Sequence, residues 1–363
     1  MGQRQMMKGN EAIAEAAVQA GCKYFFGYPI TPQNEIPEYM SKRLPEVGGA
    51  FLQAESEVSA INMVYGAAGA GVRVMTSSSS PGISLKQEGI SYIVGSELPC
   101  VIVNIVRGGP GLGSIQPAQS DYFQATRGGG HGDYNLCVFA PSTVQEAVDL
   151  TQHAFDVADR YRTPVMVLGD GVIGQMMEPV TMPQYIAPND LPEKTWAATG
   201  WKNDGTRERA VINSLYIQSD ILEKHNLKIE KKMSELAEKE LMYTSEYMDD
   251  AEYAIVAYGT TARIALTAVR KLRETGVKIG LIRPITLWPF PSEYIGKQAK
   301  KLKSILTVEM SLGQMIEDVR LAVNGTCPVH FFGRTGGIIP GVNEVVEAAK
   351  KITCETNNSG EGM

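Results

Sequence analysis

The sequence predicts an α/β protein with two parallel-sheet domains joined by a helical connector. Apolar β-like segments alternate with helical segments from residue 9 to about 180, and again from Ala251 onward. Several of the strands, such as PCVIVNIV and TPVMVLG, are apolar almost throughout, which is typical of parallel strands covered by helices on both faces. The length of 363 residues is enough for two domains.

The first domain is predicted over residues 1–180. Asn10 is expected to cap its first helix, and Ser142 to cap a long helix that ends near Tyr161, because short polar side chains satisfy the free N–H groups of a helix start. Two further helices are expected over 33–44 and 55–70. The predicted strands are YFFG, AFLQ, RVMTS, PCVIVNIV, NLCVFA and TPVMVLG.

A connector is predicted over 181–249, followed by a smaller α/β domain over 250–363. The connector begins with the proline-rich segment TMPQYIAPNDLPEKT, and its part 207–243 is heavily charged, which favours a solvated amphipathic helix. In the last domain EYAIVAYG, VKIGLIRP, KSILTVEM and VHFFG are predicted strands. The intervening TARIALTAVRKLRETG is predicted to be a helix that ends in a glycine cap.

Composition excludes several classes of protein. With 34 basic and 40 acidic residues the net charge is -6, which disfavours nucleic acid as a partner. Five scattered cysteines without a C-x-x-C pair argue against a disulfide scaffold, a zinc site or an iron–sulfur cluster made by this chain alone, and favour reduced thiols. The N-terminus lacks the apolar stretch of a signal peptide and no run is long enough to cross a bilayer, so a soluble cytoplasmic protein is expected.

Candidate functional residues follow the ends of the predicted strands, where parallel sheets bind their ligands. YPITP (28–32) could present Thr31 on a rigid turn, or could be an ordinary βα turn. TSSSSPG (76–82) could hold a polar ligand, or could only cap a helix that starts near Ser84. Arg107 follows a buried strand and could hold a carboxylate, or could form a structural ion pair.

Glu55 and Glu57 lie where the third helix begins. Two residues apart, they cannot share one helical face, so they are not a paired acid and base. One is expected to point into the crevice at the sheet edge and the other to point at solvent. The alternative for both is stabilisation by the positive end of the helix dipole.

Other motifs are set aside. GAAGAG (66–71) ends a helix instead of opening one, which disfavours a nucleotide-binding dehydrogenase. GDG (169–171) has no asparagine near 195–198 of the kind that thiamine-diphosphate enzymes use to place magnesium, so Asp170 is interpreted as a strand-end residue and no metal site is predicted. His131 has no Ser or Cys partner motif, so a catalytic triad is not predicted.

Taken together and in order, these segments resemble a known family. YPITP, ESEVSAI, TSSSSPGISLKQEG, RGGPGLG, GGHGD, LIRPITLWPFP and VEMSLGQM resemble the alpha-type subunit of 2-oxoacid:ferredoxin oxidoreductases over nearly the whole chain. The resemblance is nearest to the branched-chain, 2-ketoisovalerate members. It implies a pyrimidine-binding domain of a thiamine-diphosphate enzyme over 1–180 and a transketolase C-terminal-like domain over 250–363.

The resemblance also implies partners. A beta-type subunit would supply the diphosphate and magnesium site of a shared thiamine diphosphate. A gamma-type subunit and a ferredoxin-like subunit or ferredoxin would complete the enzyme, with iron–sulfur clusters on the partners only. Coenzyme A and a 2-oxoacid would be the substrates, and a dimer of heteromers is expected. The reaction would be oxidative decarboxylation of the 2-oxoacid to its acyl-CoA.

Site residues follow from the same resemblance. Glu57 corresponds to the glutamate that bonds the aminopyrimidine ring nitrogen, so that the cofactor supplies its own base. Thr31 and Arg107 correspond to positions that hold the substrate carboxylate. The cofactor-binding set is Tyr28, Pro29, Ile30, Glu57, Ser79 and Ser80.

One loop departs from the family pattern. Many members read G-P-S-T-G-x-P-T after the arginine, whereas this chain reads GPGLGSIQ over 109–116. The less polar loop suits an aliphatic substrate side chain, and Gln116 replaces a substrate-contacting Thr. The alternatives are a 2-oxoglutarate- or pyruvate-type member and a non-catalytic scaffold subunit. A stand-alone thiamine-dependent enzyme is disfavoured, because no diphosphate-binding domain is found in the chain.

Overall fold

The computed structural model describes residues 4–358 and confirms the predicted α/β class. The strands are β1 (Gln5–Lys8), β2 (Tyr24–Gly27), β3 (Ala50–Gln53), β4 (Val74–Ser78), β5 (Cys100–Val106), β6 (Cys137–Phe139), β7 (Pro164–Asp170), β8 (Met177–Val180), β9 (Tyr243–Glu246), β10 (Tyr253–Val256), β11 (Ile279–Pro284), β12 (Thr286–Trp288), β13 (Ser304–Glu309) and β14 (Val329–Gly333).

The helices alternate with these strands. They are α1 (Gly9–Gln19), α2 (Glu35–Glu46), α3 (Glu57–Gly69), α4 (Pro81–Gly95), α5 (Tyr122–Thr126), α6 (Val144–Tyr161), α7 (Gly171–Gln175), α8 (Ser219–Lys239), α9 (Gly259–Glu274), α10 (Ser292–Ala299), α11 (Met315–Val323) and α12 (Val342–Asn358). Within residues 4–358, none of these helices is long and apolar enough to span a membrane.

Seven strands form the larger sheet, in the order β12-β6-β7-β5-β4-β2-β3. All neighbours are parallel except β12, which is antiparallel to β6. Strands β4, β5 and β7 are buried along their whole length because helices cover both faces. The sequence predicted the parallel strands, but not an edge strand contributed by residues 286–288.

The two faces of this sheet carry different helices. Alternate residues of β5 divide between them, with Val101 and Val103 packed under α1, α2 and α6, and Ile102 and Val106 packed under α3 and α4. The core beneath α3 and α4 continues into the second sheet, since Val256 and Ile282 belong to the same cluster. One apolar core therefore runs through both sheets.

Five strands form the smaller sheet, in the order β14-β13-β10-β11-β9. Four are parallel, as predicted, and β9 is an antiparallel edge. Buried Gln119 joins the two sheets: its Nε2 donates to Tyr258 O at 2.9 Å, and its Oε1 accepts from Met310 N at 2.9 Å and Thr261 Oγ1 at 3.1 Å. The predicted boundaries at 180 and 250 remain predictions.

Both predicted helix caps are wrong. Asn10 lies inside α1, where its Nδ2 donates to Pro32 O at 2.8 Å and to a Glu35 oxygen at 2.8 Å. The cap of α6 is Thr143, whose Oγ1 accepts from Glu146 N at 3.0 Å, and not Ser142. A cap must have extended backbone while the next residue is already helical, and that condition is met one position beyond Ser142.

The helix predicted over 207–243 is also shorter than expected. Only Ser219–Lys239 is helical, and the preceding residues run without regular structure across the ends of α3 and α4. There Ile212 lies beside Gly69, and Ser214 lies beside Gly95. These tertiary contacts hold the segment in a non-helical conformation. The charge pattern of the sequence alone does not predict such contacts.

Candidate active site

The predicted site segments converge at one edge of the larger sheet. Tyr28 follows β2, Glu57 follows β3, Ser79 follows β4 and Arg107 follows β5. These four strands are consecutive neighbours and run parallel, so their carboxyl ends lie side by side. This edge is where open parallel sheets bind ligands.

Glu57 is the first residue of α3 and its side chain is buried, with 6% exposure. The Ser56 side chain caps the helix by accepting a hydrogen bond from Ser59 N at 3.2 Å. Glu55 is exposed and accepts a hydrogen bond from Ser59 Oγ at 3.0 Å. The prediction that only one of the two carboxylates faces inward is thereby confirmed. The role of Glu57 in catalysis stays a prediction.

The start of α4 lies against the Glu57 carboxylate. A Cβ at Gly82 would be 2.6 Å from Glu57 Oε1 and 2.1 Å from Ser78 Oγ, so this close approach requires glycine. The positive end of a 15-residue helix also favours a negative charge there. Helix α4 begins at Pro81, and Ser80 makes no side-chain cap, so the interpretation of this segment as a cap for a helix near Ser84 is wrong.

Arg107 and Thr31 are brought together. Arg107 Nη1 donates to Thr31 O at 3.0 Å, and Nη2 donates to Leu112 O at 3.1 Å. The Ser80 hydroxyl is held by the Arg107 backbone, since it accepts from Arg107 N at 3.1 Å and donates to Arg107 O at 3.2 Å. The guanidinium is therefore fixed by two backbone carbonyls, and not by a structural ion pair.

Several buried polar atoms at this edge have no hydrogen-bond partner in the described residues. They are Ser78 Oγ, Ser79 Oγ and Arg107 Nε. Leaving such an atom unpaired costs about 1–3 kcal/mol, so a cluster of them indicates a polar ligand that pairs with them when bound. Together with the buried carboxylate of Glu57, this set of donors and acceptors fits a polar heterocyclic cofactor such as the aminopyrimidine of thiamine diphosphate.

The outer cofactor-binding candidates lie at the rim. Tyr28 and Pro29 are exposed and Ile30 is half-buried, whereas Ser79 is fully buried. These positions are compatible with contact to a ligand that spans from the rim to Glu57. Their assignment as cofactor contacts stays a prediction.

Lys86 is a site residue that the sequence analysis missed. It is fully buried in α4, and its Nζ donates to Thr76 Oγ1 at 2.7 Å. Burial lowers the pKa of Lys86 to about 7, although the charge of Glu57 acts in the opposite direction. The sequence carried no local signal for this burial, because a lysine in a helix is normally exposed.

A cavity of about 480 Å³ adjoins Thr31. Its walls include Ile115, Gln116, Val172 and Ile339. Residues of the last domain form part of its wall, since Ile339 lines the cavity and a Cβ on Gly337 would lie 2.3 Å from Gln116 Cβ. The segment GRTGG (333–337) thus packs against the loop that follows Arg107.

Asp170 ends β7, as expected, and caps α7. Its Oδ1 accepts from Val172 N at 2.8 Å, from Ile173 N at 3.2 Å and from Thr260 Oγ1 at 2.9 Å. Burial raises the pKa of this carboxyl group. Over residues 4–358, no group of three or more His, Cys, Asp or Glu side chains is arranged to hold a metal ion.

Two family models match the chain in succession. Residues 15–245 match pyruvate flavodoxin/ferredoxin oxidoreductase, thiamine diphosphate-binding, and residues 251–345 match pyruvate:ferredoxin oxidoreductase core domain II. The first match contains Thr31, Glu57, Ser79, Lys86 and Arg107, whereas Ile339 of the cavity wall lies in the second.

Curated relatives match over nearly the full length. Ketoisovalerate oxidoreductase subunit VorB of Methanothermobacter thermautotrophicus is 48% identical over 354 residues, which is 98% of this chain and 99% of that protein. The 2-oxoglutarate synthase subunit KorA of Methanocaldococcus jannaschii is 36% identical over 355 residues, which is 92% of this chain and 95% of that protein.

Solved structures match as well. The 2-oxoglutarate:ferredoxin oxidoreductase from Magnetococcus marinus superposes with a TM-score of 0.86 and 25% identity over 97% of this chain, which spans 65% of that chain. A split-gene transketolase superposes with a TM-score of 0.60 and 16% identity over 95% of this chain and 98% of its own, which shows a shared fold. The resemblance read from the motifs is confirmed: the chain belongs to the 2-oxoacid:ferredoxin oxidoreductase family, to which the pyruvate flavodoxin/ferredoxin oxidoreductases also belong.

Proposed function

We propose that this chain is the catalytic alpha-type subunit of a 2-ketoisovalerate:ferredoxin oxidoreductase. The enzyme would decarboxylate a branched-chain 2-oxoacid oxidatively, form its acyl-CoA and pass the electrons to ferredoxin. The observation that carries the proposal is the buried carboxylate of Glu57 at the ligand-binding edge of the sheet, in a chain 48% identical to a ketoisovalerate oxidoreductase subunit. In each turnover the 2-oxoacid and the coenzyme A thiol would give the acyl-CoA, carbon dioxide, one proton and two electrons, and ferredoxin would accept the electrons.

Thiamine diphosphate, when bound, supplies the carbanion-stabilising chemistry that decarboxylation of a 2-oxoacid needs. Glu57 would hold a proton at a carboxylate oxygen, inside a pocket that excludes bulk water. Ser78 and Ser79 would offer their unpaired hydroxyl groups to the same ligand. This chain contributes the half of the site that contacts the ring, and a beta-type subunit would contribute the diphosphate and magnesium half.

Arg107 and Thr31 would orient the substrate. Two nitrogens of the guanidinium are fixed by backbone carbonyls, and the unpaired Nε remains as a buried donor. A cation already held in place binds a carboxylate without further ordering, and this lowers the entropic cost of reaching the reactive geometry. The carboxylate of the 2-oxoacid would be held beside Thr31.

The cavity beside Thr31 supports a branched aliphatic substrate. Its lining includes apolar Ile115, Val172 and Ile339, and among the described residues that line it none is Lys or Arg. Glu35, which also lines it, stays ionised, because hydrogen bonds from Asn10 and other donors outweigh burial and lower its pKa. A second substrate carboxylate would meet an anion there instead of a cation.

The remaining parts of the proposal concern assembly. Gamma-type and ferredoxin-like subunits would complete a dimer of heteromers, with the iron–sulfur clusters on those partners. Its place would be the cytoplasm, in keeping with five cysteines that are free in the structure. Co-purification of the chain with its partners, followed by iron and acid-labile sulfide analysis of each subunit, tests this arrangement.

Replacing Glu57 by Gln tests whether the chain is catalytic. In the assembled complex we expect Glu57→Gln to lower kcat at least 100-fold, because the neutral amide cannot hold the proton. Glu55→Gln is the matched control, since that exposed carboxylate lies two residues away, and it should retain activity. Wild-type turnover by an assembled Glu57→Gln complex would favour a scaffold subunit instead.

The second candidate function is oxidation of 2-oxoglutarate, because KorA proteins are 36% identical to this chain. Competition between 2-ketoisovalerate, pyruvate and 2-oxoglutarate on the assembled complex separates the two. We expect kcat/KM to be at least tenfold higher for 2-ketoisovalerate than for 2-oxoglutarate, because Ile115, Val172 and Ile339 line the cavity together with the Glu35 carboxylate. A preference for 2-oxoglutarate would show that the substrate assignment is wrong, while leaving the family unchanged.

A further inference from the structure

Asn104 is a buried amide in the otherwise apolar strand β5, CVIVNIV. Its side chain has no exposure, and β5 is the central strand of the larger sheet. A buried polar side chain costs free energy unless its hydrogen bonds are made. An apolar residue would serve the packing of such a strand, so the purpose of the amide must be found in its hydrogen-bond partners.

Both atoms of the Asn104 amide are paired. Its Oδ1 accepts a hydrogen bond from Ser80 N at 3.2 Å, and its Nδ2 donates to Asp121 Oδ2 at 2.9 Å. A backbone N–H group can only donate, so the amide atom that faces Ser80 must be the oxygen. The nitrogen then faces Asp121, whose carboxyl oxygen accepts. Asp121 therefore fixes the orientation of the Asn104 amide.

The backbone of Ser80 has to be held by its surroundings. Its φ of +25° and ψ of −82° form a conformation that residues other than glycine rarely adopt, and such a conformation persists only where neighbouring groups enforce it. Asn104 binds the Ser80 N–H group, and the Ser80 hydroxyl binds the backbone N–H and carbonyl groups of Arg107. The turn between β4 and α4 is thus tied to β5 at two positions.

This turn carries groups of the candidate active site on both sides of Ser80. Ser79 precedes it, is fully buried, and has a hydroxyl group without a hydrogen-bond partner in the described residues. Helix α4 begins directly after it, and there the backbone at Gly82 approaches the Glu57 carboxylate. A change in the Ser80 backbone would therefore displace Ser79 and the start of α4 together.

We propose that Asn104 is a positioning residue that holds the Ser80 turn in the conformation that binds the cofactor, and that Asp121 orients its amide. Both amide atoms are used inside the chain, so Asn104 acts through Ser80 and not by contact with a ligand. The effect on the turn stands on the geometry of this chain alone, whereas the effect on cofactor binding rests on the proposed function.

Hydrogen exchange at Ser80 N–H in the full chain tests the turn without any bound cofactor. Asn104→Leu is close in size and removes both hydrogen bonds. We expect the protection of the Ser80 amide to fall about tenfold, as for the loss of one buried hydrogen bond, while Ile90 in the middle of α4 keeps its protection. Asn213→Leu is the matched control, because that exposed amide bonds only to the Leu215 backbone. Unchanged protection of Ser80 in Asn104→Leu would overturn the proposal.

Asp121→Ala is a second variant that leaves strand β5 intact, and it serves if Asn104→Leu does not fold. Without its acceptor the Asn104 amide is free to turn, so its oxygen faces Ser80 for only part of the time. We expect the protection of the Ser80 amide to fall about threefold. Wild-type protection in the folded Asp121→Ala chain would show that Asp121 does not orient the amide.

A second measurement uses the assembled complex, to which thiamine diphosphate is added back after removal. Asn104→Asp keeps an oxygen toward Ser80 but sets two carboxyl groups face to face, and adding Asp121→Asn restores a donor between them. We expect the Kd of thiamine diphosphate to rise about tenfold in Asn104→Asp and to return to within about threefold of wild type in the double variant.

The Kd is measured well below the unfolding temperature of each variant, so that a loss of stability alone leaves it unchanged. A wild-type Kd in Asn104→Asp, or a double variant that binds no better than Asn104→Asp, would overturn the role in cofactor binding. Failure of the proposed function would appear elsewhere, as a wild-type complex that does not bind thiamine diphosphate. The exchange of the Ser80 amide would still report the turn.

Discussion

The orientation of the Arg107 guanidinium is fixed by hydrogen bonds to neighbouring backbone groups. Backbone carbonyls of Thr31 and Leu112 fix two of its nitrogens, and Nε is left as a buried donor with a set direction. Lysine has a single ammonium group on a flexible stem and cannot make both of these bonds while pointing a third donor at a ligand. The shape of the guanidinium matters here as much as its charge.

Arg107→Lys should therefore impair substrate binding although the charge is kept. We expect kcat/KM for the 2-oxoacid to fall about 10- to 100-fold, mainly through KM, which corresponds to the loss of one or two charge-assisted hydrogen bonds. Steady-state kinetics of the assembled complex measure it. Arg127→Lys is the control, because Arg127 is half-exposed and pairs with Asp318 near the surface, and it should change kcat/KM less than twofold. An equal loss in both variants would contradict a specific role for Arg107.

At this scale the sequence predicted side chains whose position follows from local spacing. Helix geometry predicted that only one of Glu55 and Glu57 faces inward, and the family resemblance selected Glu57. Asn10 and Ser142 were placed wrongly, because a cap depends on the backbone angles of one residue. Lys86 was missed because a lysine in a helix is normally exposed, and only packing from β4 and α3 shows that this one is buried.

Ion pairs connect helix α8 to the residue that follows α4. Lys228 and Lys232 on α8 both bind the carboxylate of Glu97, which lies just beyond α4. Burial would raise the pKa of Glu97, but the hydrogen bond from Lys228 and the charge of Lys232 outweigh it and lower the pKa to about 2. A carboxyl group whose pKa is lowered by folding stabilises the fold above its unfolded pKa, and this contribution is lost as pH falls through the folded value.

Glu97→Gln should lower the free energy of unfolding by about 2 kcal/mol at pH 7, and the difference from wild type should shrink between pH 4.5 and pH 2 as the wild-type carboxyl group is protonated. Urea unfolding at a series of pH values measures both. The control is Glu235→Gln, which breaks an exposed pair with Lys239 on the same helix and should leave the free energy of unfolding almost unchanged. A constant difference across the pH range would contradict the assigned ion pair.

Elements were predicted well where apolar runs were long. Strands β5 and β7 could be read directly, since a continuous apolar run bounded by turns has few alternatives. The irregular segment before α8 could not, because its conformation depends on distant contacts such as Ile212 beside Gly69. The antiparallel strands β9 and β12 were missed for the same reason. Whether a short edge segment forms a strand depends on the strand that it pairs with in the folded chain, and not on its own sequence.

At the scale of the whole molecule, the two sheets share one core and a buried polar junction. Gln119 bonds to Tyr258, Thr261 and Met310, all in the part of the chain that forms the smaller sheet. The alanine variant would leave the buried Met310 N–H group without its acceptor, whereas Tyr258 O would keep the hydrogen bond from Thr261 Oγ1. The sequence could not reveal this junction, because Gln119 lies in a loop and its partners are more than a hundred residues away.

Gln119→Ala should lower the free energy of unfolding by about 3 kcal/mol and loosen the contact between the sheets. Thermal unfolding measures the first effect, and hydrogen exchange at Met310 N–H measures the second. Gln145→Ala is a suitable control, since that half-buried amide bonds within α6 and to Thr181 O near the surface, and it should cost less than about 1 kcal/mol. Unchanged exchange at Met310 in Gln119→Ala would contradict the junction.

The strand β12 has a consequence for the order in which the protein is made. It covers the edge of β6, and it lies at residues 286–288 of a 363-residue chain. During synthesis the larger sheet therefore leaves the ribosome with its β6 edge open, and an open edge can pair with another nascent chain. The edge closes only after most of the polypeptide has emerged, which makes the interval before residue 288 the period in which a chaperone would be of most use.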